Sequence, residues 1–432
     1  MVQRVAVLGA GTMGAGIAQV AAQAGMDVLM YDVKPELVER GLQGIRQALD
    51  GRVQRGKMEP AEMEAIVGRI KTGTERDRLA DADLVIEAAP EDLTVKREIF
   101  SALSEMMRPE AVLATNTSSL SVTSIASAAK NPERVVGMHF FNPAPVMALV
   151  EIVAAAQTSA DVVEEVREVA LAMGKTPVRA ADTPGFIVNR VARPFYGEAL
   201  QIVGEGTATV PQVDEAMRAA GFRMGPFALM DLIGIDINFA VTRSVYDAFF
   251  GEPRYRPHLI QNRMVDAGTL GRKTGRGFYR YEDGERREVA FAQMINLPER
   301  RSVTFVPEHI TNAFIANAGV EATGTDPATR EIIVRILTMI MNEAAWAVGD
   351  GVASVRDVDI AMKLGTNYPK GPLKWADEIG LEMVHSVLKS LMASLGDQRY
   401  RPAPLLWQLV RSGATGDAVG EGFHSPGEKG MV

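Results

Sequence analysis

The sequence feature that most constrains the fold is the turn Gly9-x-Gly11-x-x-Gly14, which directly follows an apolar run at residues 5–8. A helical pattern of apolar residues comes next, so a strand, a glycine turn and a helix follow one another without a gap. In this order Gly9 allows a tight turn, Gly11 lets the backbone approach a pyrophosphate, and Gly14 lets helix and strand pack closely. The pattern therefore predicts a dinucleotide-binding turn.

A second strand indicates which dinucleotide is bound. The strand predicted at residues 27–31 is followed by Asp32, about 20 residues beyond Gly9, where an acid accepts hydrogen bonds from the adenosine ribose. The Asp32 carboxylate repels a 2′-phosphate, so we expect NAD rather than NADP, although Lys34 nearby weakens this preference. The free N–H groups of the first helical turn, at Thr12 and Met13, are expected to face the pyrophosphate.

Composition excludes several classes of function. The 432-residue chain has a net charge of −8, which disfavours nucleic acid as a partner. It contains no cysteine, which excludes disulfides, a thiolate nucleophile and cysteine-bound metal. No apolar stretch reaches the roughly 18 residues of a membrane helix, and the first strand begins too near Met1 for a signal peptide. We expect no membrane partner and a cytoplasmic location.

Alternating strands and helices define the first part of the chain. Apolar runs predict further strands at residues 82–89, 111–114, 134–138 and 149–153, and helical spacing predicts helices at residues 35–56, 93–107 and 160–173. This alternation predicts an α/β fold with a Rossmann-like, doubly wound, mainly parallel sheet. Ligands bind beyond the carboxyl ends of such strands, where Glu91, Ser118 and His139 fall.

The rest of the chain is predicted to be a duplicated all-α region. Glu198-Ala199 recurs as Glu343-Ala344, and Arg254-Tyr255-Arg256-Pro257 recurs at the same offset as Arg399-Tyr400-Arg401-Pro402. We predict a dinucleotide-binding domain at residues 1–182 and a helical domain at 183–283. A charged linker at 284–306 and a second, degenerate helical domain at 307–432 follow.

One histidine is a candidate acid–base group. A dehydrogenase that oxidises an alcohol must remove the hydroxyl proton as hydride leaves carbon, and a histidine can take it. His139 ends a predicted strand, and Glu151 reaches its ring if the proline-containing turn between them folds back. No spacing of histidines or carboxylates is typical of a metal site, so we predict no metal.

A basic helix face has two interpretations. Arg52, Arg55 and Lys57, with Arg46, lie on or just after the helix predicted at residues 35–56. Such a face is often merely solvated, but in an acidic protein it also suits an anionic ligand.

Taken together, these motifs resemble the L-3-hydroxyacyl-CoA dehydrogenases of fatty-acid and phenylacetate degradation. The resemblance rests on the glycine turn and on Asn116-Thr117-Ser118-Ser119, His139-Phe140-Phe141-Asn142-Pro143, Glu151, Asp182-Thr183-Pro184-Gly185-Phe186-Ile187-Val188-Asn189-Arg190 and Gly271-Arg272-Lys273-Thr274-Gly275-Arg276-Gly277-Phe278-Tyr279. It covers residues 1–283 and, more faintly, the second helical copy. It implies NAD-dependent oxidation of a (3S)-3-hydroxyacyl-CoA to the 3-oxoacyl-CoA.

The resemblance also implies roles for individual residues. His139 corresponds to the catalytic base and Glu151 to its partner, while Ser118 and Asn189 bind the substrate oxygens near C3. The basic residues Arg52, Arg55 and Lys57 fall in the region that holds CoA. The residues at positions where the family contacts NAD are Asp32, Glu91, Lys96, Ser118, Asn142 and Lys273.

The second helical copy departs from the family pattern and is expected to be structural. Asn189 aligns with Val334, and the glycine-rich turn is reduced to Gly420-Glu421-Gly422-Phe423-His424. In single-copy relatives the helical domain pairs with that of a second subunit. We therefore expect an internal pseudo-dimer, in chains that can still form a homo-oligomer through another surface.

Two alternatives to this function stay open. One is a β-hydroxyacid dehydrogenase that uses a free carboxylate substrate and a catalytic lysine. The other is a non-catalytic NAD-binding protein. The presence of His139, Glu151, Ser118 and Asn189 argues against both alternatives. The sequence does not specify the acyl chain of the substrate, so butyryl, adipyl and longer chains all stay open.

Overall fold

The apolar run before the glycine turn forms a central buried strand, β1 (Arg4–Leu8), in which Val5, Ala6 and Val7 are at most 1% exposed. A strand buried on both faces requires neighbouring strands and helices on both faces of the sheet. β1 accordingly pairs in parallel with β2 (Asp27–Tyr31) and with β4 (Leu84–Glu87).

The structure is a computed structural model that describes residues 2–283, 285–289, 304–320 and 326–425. The chain divides into two compact units, Met1–Phe186 and Ile187–Val432. The remaining strands of the first unit are β3 (Ile70–Gly73), β5 (Val112–Thr115), β6 (Val135–Phe140), β7 (Leu149–Ala154) and β8 (Thr176–Ala181).

These strands form one eight-stranded sheet in the order β3-β2-β1-β4-β5-β6-β7-β8. Its pairs are parallel apart from the antiparallel pair of β6 and β7. The predicted Rossmann-like, mainly parallel sheet is confirmed. The edge strands β3 and β8 were not predicted, because an edge strand needs less apolar surface and β8 also contains Pro177, which edge strands tolerate.

The helices of the first unit connect these strands. They are α1 (Thr12–Gln23), α2 (Pro35–Gln54), α3 (Pro60–Gly68), α4 (Leu93–Met106), α5 (Val122–Ala126) and α6 (Ala160–Ala172). The predicted helices at 35–56, 93–107 and 160–173 are confirmed to within two residues. The order of the first six strands brings the carboxyl ends of β1, β4, β5 and β6 to one edge of the sheet.

The second unit is mainly helical, as predicted. Its helices are α7 (Val188–Val191), α8 (Arg193–Gly204), α9 (Val210–Ala219), α10 (Pro226–Ile233), α11 (Ile235–Ala248), α12 (Leu259–Asp266), α13 (Glu308–Ala318), α14 (Pro327–Gly349), α15 (Val355–Thr366), α16 (Pro372–Ile379), α17 (Leu381–Leu395) and α18 (Pro404–Ser412). A short hairpin of β9 (Tyr279–Glu282) and β10 (Glu285–Val289) reaches into the predicted linker. Most of that linker, residues 284 and 290–303, lies outside the described residues.

Reciprocal ion pairs join matching positions of the two helical repeats. Arg190 donates to Glu343 (Nε to Oε1, 2.8 Å), and Arg335 donates to Glu198 (Nε to Oε1, 2.8 Å). All four side chains are at most 2% exposed. In the sequence alignment of the repeats Arg190 corresponds to Arg335 and Glu198 to Glu343, so each pair is the counterpart of the other.

Helix α14 corrects one expectation. Its 23 residues include a window with a mean hydropathy of 1.4, so by length and composition it could cross a membrane. However, 83% of that window is buried inside the protein, which is typical of a core helix. The prediction that no apolar stretch approaches this length was wrong, because isolated residues such as Arg335 and Glu343 break the apolar run in sequence while their charges pair inside the core.

Candidate active site at the carboxyl edge of the sheet

The glycine turn has the shape that a pyrophosphate needs. Gly9 has a φ of 104°, and a Cβ there would lie 2.6 Å from the carbonyl oxygen of Ala88. A Cβ at Gly14 would lie 1.8 Å from the Gly9 carbonyl oxygen, whereas a Cβ at Gly11 would meet nothing within 4 Å. Close packing therefore requires Gly9 and Gly14, and open space remains beside Gly11. The start of α1 has no side-chain cap, so its first N–H groups can receive an anion.

Asp32 lies beside this turn, immediately after β2. Its Oδ2 accepts a hydrogen bond from the Ala10 N–H (2.9 Å), and its Oδ1 accepts one from the Lys34 N–H (3.2 Å). The carboxylate is thus anchored to the turn, and its remaining acceptor capacity suits ribose hydroxyls. The residues present fit NAD.

His139 and Glu151 are in direct contact. They are opposite residues on the antiparallel strands β6 and β7. The His139 Nδ1 lies 2.6 Å from the Glu151 Oε2, and the two residues are 6% and 0% exposed. Because Glu151 accepts the Nδ1 proton, Nε2 is the ring nitrogen left to exchange a proton. The contact expected from the sequence is present because the chain reverses within the loop at residues 141–148.

Lys175, which the sequence did not suggest, holds this loop. Its ammonium group donates to the carbonyl oxygens of Ala144 (2.5 Å) and Met147 (2.8 Å). The side chain is buried, and burial lowers the pKa of Lys175. A lysine between α6 and β8 carries no sequence signal for such a role, because the loop carbonyls it binds lie about thirty residues away along the chain.

A polar network follows β4 and β5 at the same edge of the sheet. Glu91 Oε1 accepts hydrogen bonds from the Thr117 hydroxyl (2.7 Å), the Ser118 N–H (2.9 Å) and the Ser119 hydroxyl (3.0 Å). Burial opposes ionisation of Glu91, but the Thr117 hydroxyl, the charge of Lys96 and the hydrogen bonds from Ser118 and Ser119 together outweigh burial and lower the pKa of Glu91. Glu91 therefore fixes the loop that carries Ser118.

Lys96 occupies the buried side of this network. Its Nζ lies 2.6 Å from Glu87 Oε1 and 3.4 Å from Glu91 Oε2, and its side chain is 1% exposed. The structure thus gives Lys96 two carboxylate partners, the buried Glu87 and the more exposed Glu91. Sequence reasoning missed Glu87 because it reads as one more residue of a buried strand.

Two asparagines extend the site around His139. Asn116 Oδ1 accepts a hydrogen bond from the Phe140 N–H (2.8 Å), which ties the end of β5 to the end of β6. Asn142 lies in the exposed loop just beyond His139. The aromatic rings of Phe141 and Phe186 lie 4.5 and 5.9 Å from the His139 ring, so the imidazole faces an apolar wall.

Two of the predicted site residues, Asn189 and Lys273, lie in the second unit. Asn189 is on α7, one residue before the buried Arg190. Lys273 lies in the glycine-rich turn after α12, and its ammonium group contacts both oxygens of Asp236 at 2.6 and 2.7 Å.

The basic residues lie at the end of α2. Arg52 is in its last turn, Arg55 follows it, and Lys57 lies in the next loop, where its N–H donates to the Arg52 carbonyl. Within the described residues none of the three has a carboxylate partner, whereas Arg46 contacts Glu64 at 3.3 Å. The described residues also contain no group of three or more His, Cys, Asp or Glu side chains that could hold a metal ion.

Comparisons with known proteins agree with this arrangement. The model of the 3-hydroxyacyl-CoA dehydrogenase NAD binding domain matches residues 4–183, and that of the 3-hydroxyacyl-CoA dehydrogenase C-terminal domain matches residues 185–281 and 332–425. The chain is 43% identical to a 3-hydroxyadipyl-CoA dehydrogenase of Escherichia coli K12, over 95% of this chain and 98% of that protein.

Solved structures give the same relationship. A 3-hydroxybutyryl-CoA dehydrogenase from Escherichia coli K12 is 42% identical and has a TM-score of 0.85, covering 96% of this chain and 99% of that one. An (S)-3-hydroxybutyryl-CoA dehydrogenase from Ralstonia eutropha is 40% identical with a TM-score of 0.64, and covers 66% of this chain and 100% of that one.

Proposed function

The chain belongs to the 3-hydroxyacyl-CoA dehydrogenase family, and we propose that it oxidises (3S)-3-hydroxyacyl-CoA thioesters to 3-oxoacyl-CoA with NAD as the cofactor. The observation that carries the proposal is the buried 2.6 Å contact between His139 and Glu151 at the edge of the sheet that also bears the glycine turn. A base oriented by a carboxylate is what oxidation of an alcohol needs.

The distance between strands β1 and β6 suits an extended dinucleotide. β6 lies three strands from β1, which corresponds to about 14 Å at the usual strand separation. The glycine turn and Asp32 hold the adenosine and pyrophosphate end, and the edge near β5 and β6 receives the nicotinamide. Bound NAD supplies the hydride acceptor.

His139 performs the proton transfer. As the C3–H bond breaks, Nε2 of His139 takes the proton of the C3 hydroxyl, and the charge that develops on the ring is stabilised by Glu151. Ser118 and, by its match to the family motif, Asn189 hold the oxygen at C3. In the reverse direction the protonated ring returns the proton to the oxygen.

A kinetic comparison tests this assignment. Wild-type enzyme should consume NADH with acetoacetyl-CoA, and His139→Gln should lower kcat by about 10²–10⁴-fold with NAD affinity nearly unchanged. His309→Gln, at an exposed position on α13, is the matched control and should behave as wild type. A His139→Gln enzyme with near wild-type kcat would remove the proton-transfer role.

The CoA moiety is proposed to lie against Arg52, Arg55 and Lys57. Support comes from their lack of carboxylate partners within the described residues and from the phosphates that CoA carries. We also propose a cytoplasmic location and a place in fatty-acid or aromatic-acid degradation.

We further propose that the two helical repeats form an internal pseudo-dimer. The support is the reciprocal pairing of Arg190 with Glu343 and of Arg335 with Glu198. Each of these arginines also contacts a second carboxylate, Asp350 for Arg190 and Glu205 for Arg335. These two carboxylates occupy matching positions of the repeats. An isologous dimer makes each contact twice in this way.

Truncation tests the pseudo-dimer. Removing residues 301–432 deletes the partners of Arg190 and Glu198, so the truncated chain should dimerise, with Arg190 of each copy meeting Glu198 of the other, or aggregate. Light scattering measures the outcome. Arg190→Glu in the truncation should prevent dimerisation, and Arg190→Glu with Glu198→Arg should restore it. A soluble, fully active monomer would contradict internal pairing.

The acyl chain is not decided by family membership. The relatives are named for 3-hydroxybutyryl-CoA and for 3-hydroxyadipyl-CoA, and these substrates differ in length and in a terminal carboxylate.

A further inference from the structure

A buried arginine of the second unit has only neutral hydrogen-bond partners. Arg193 is 7% exposed. Its Nε donates to the Asn189 carbonyl oxygen (2.8 Å), and its Nη1 donates to the Thr242 hydroxyl (3.1 Å) and the Asn238 carbonyl oxygen (3.4 Å). Within the described part of the chain it has no carboxylate partner, and its Nη2 makes no hydrogen bond.

This arrangement differs from that of three other buried arginines of the unit, whereas a fourth, Arg399, also has a neutral side-chain partner, Gln201. Arg190, Arg254 and Arg335 each contact a glutamate. For Arg335 burial opposes the charge, but Glu198, Tyr400 and Glu205 together outweigh burial and raise the pKa, whereas for Arg193 burial dominates and lowers the pKa. An arginine stays protonated in proteins, so the charge of Arg193 is compensated by neutral groups, which include Tyr196, whose ring lies 5.1 Å away, and Tyr368.

The second helical repeat forms the corresponding helices without this arginine. Arg190 and Glu198 have charged counterparts there, but Arg193 aligns with Thr338. Its two partners on α11 are also replaced by apolar residues on α17, Asn238 by Val384 and Thr242 by Leu388. This alignment starts from Gly234 and Gly380, which precede these helices with nearly equal angles (φ 103°, ψ 123° and φ 100°, ψ 123°). The repeat that lost Asn189 therefore lost the whole surroundings of Arg193.

The spacing of Asn189 and Arg193 along the helix sets the length of acyl chain that can contact both residues. Ala192 between α7 and α8 keeps right-handed helical angles, so Arg193 lies one helical turn after Asn189, on the same face. One turn corresponds to about 6 Å of rise for four residues. The side chain of a helical residue leans toward the preceding turn, which the 2.8 Å contact of Arg193 Nε with the Asn189 carbonyl oxygen reflects.

We propose that Arg193 determines acyl-chain specificity by binding a terminal carboxylate three carbon–carbon bonds beyond C3, as in 3-hydroxyadipyl-CoA. The assignment rests on the proposed function, in which Asn189 holds the oxygen at C3. Three bonds of an extended chain span about 4 Å, so a chain held at C3 by Asn189 brings its C6 carboxylate to the next turn of the helix. There it accepts a charge-assisted hydrogen bond from Nη2 and gives the guanidinium its missing counter-charge.

Two substrates of equal length test the proposal. Wild-type kcat/KM is measured with 3-hydroxyadipyl-CoA and with 3-hydroxyhexanoyl-CoA, which carries a methyl group in place of the carboxylate. The expected preference for the adipyl substrate is about 100-fold, the size of loss typical when one partner of a buried charge pair is removed. Arg193→Met should abolish the preference by raising KM for the adipyl substrate, with hexanoyl turnover within a few-fold of wild type. Arg190→Met, which removes a buried arginine that has carboxylate partners, is the control and should lower Tm without changing the ratio.

Three outcomes would overturn the assignment. A wild-type ratio of adipyl to hexanoyl kcat/KM that is near or below one contradicts the assignment. This result needs no variant, so it decides the matter even if Arg193→Met does not fold. An Arg193→Met enzyme in which both substrates lose activity equally shows a structural role only. If neither substrate is oxidised by wild type, the proposed function itself fails, whereas hexanoyl turnover without an adipyl preference removes only the role of Arg193.

Discussion

A histidine in the second helical repeat should make the stability of that repeat depend on pH. His424 takes the place of Tyr279 of the first repeat. Tyr279 donates its hydroxyl to Asp214 (2.7 Å), and the His424 ring instead joins two buried carboxylates. Its Nδ1 lies 2.9 Å from Asp377 and its Nε2 lies 3.2 Å from Asp359. Contacts with the carboxylates of Asp359 and Asp377 raise the pKa of His424 to about 9, against the effect of burial.

The direction of the pH effect follows from this raised pKa. The folded state binds the His424 proton more tightly than the unfolded state, whose histidine has its ordinary pKa of about 6.5. The stabilisation is therefore complete below about pH 6.5 and is lost as the pH rises toward 9. A shift from 6.5 to about 9 corresponds to about 3 kcal/mol. We expect about 2–3 kcal/mol, because the Nε2 contact with Asp359 lacks hydrogen-bond geometry.

Tryptophan fluorescence can isolate this effect. The three tryptophans, Trp346, Trp375 and Trp407, all lie in the second helical repeat, so their emission reports its unfolding in the full chain. Urea unfolding at about pH 6 and about pH 9.5 should differ by the amount above. His424→Tyr, which introduces the residue of the first repeat, should remove the difference. An equal pH dependence in His424→Tyr would refute the linkage.

Three further changes have defined outcomes. Glu151→Gln should lower kcat by about 10²–10⁴-fold because it removes the charge that orients and stabilises the His139 ring, and calorimetry should show unchanged NAD affinity. Asp32→Ala should narrow the preference for NAD over NADP in kcat/KM, and equal wild-type values for the two cofactors would exclude the role of Asp32. Lys175→Met removes two hydrogen bonds to loop carbonyls and should lower the free energy of unfolding in urea by about 1–3 kcal/mol. If the loop also positions His139, kcat should fall as well.

Local patterns predicted the elements that depend on neighbours in sequence. The glycine turn predicted β1, the start of α1 and the acid at Asp32, because a tight turn and a close helix contact can be made by few residue types. The apolar runs predicted the central strands, which are buried on both faces. The edge strands β3 and β8 escaped prediction because they need less apolar surface.

The candidate site was only partly predictable. His139 and Glu151 could be paired in advance because a single loop separates their strands, so one reversal of the chain is enough to bring them together. Lys175 and Glu87 could not be found in this way. Lys175 acts on a loop about thirty residues away, and Glu87 meets Lys96 across a buried space that no periodicity describes.

The sequence by itself determined that the helical region is repeated and that Arg190 and Glu198 have counterparts in Arg335 and Glu343. Only the tertiary structure decided which charges meet, because the pairing of two buried ions depends on how the repeats are packed and not on their order along the chain. The tertiary structure also gives Arg190 and Arg193 different surroundings. The two arginines are three positions apart and alike in sequence, but α14 brings a carboxylate to Arg190, whereas α11 brings only neutral oxygens to Arg193.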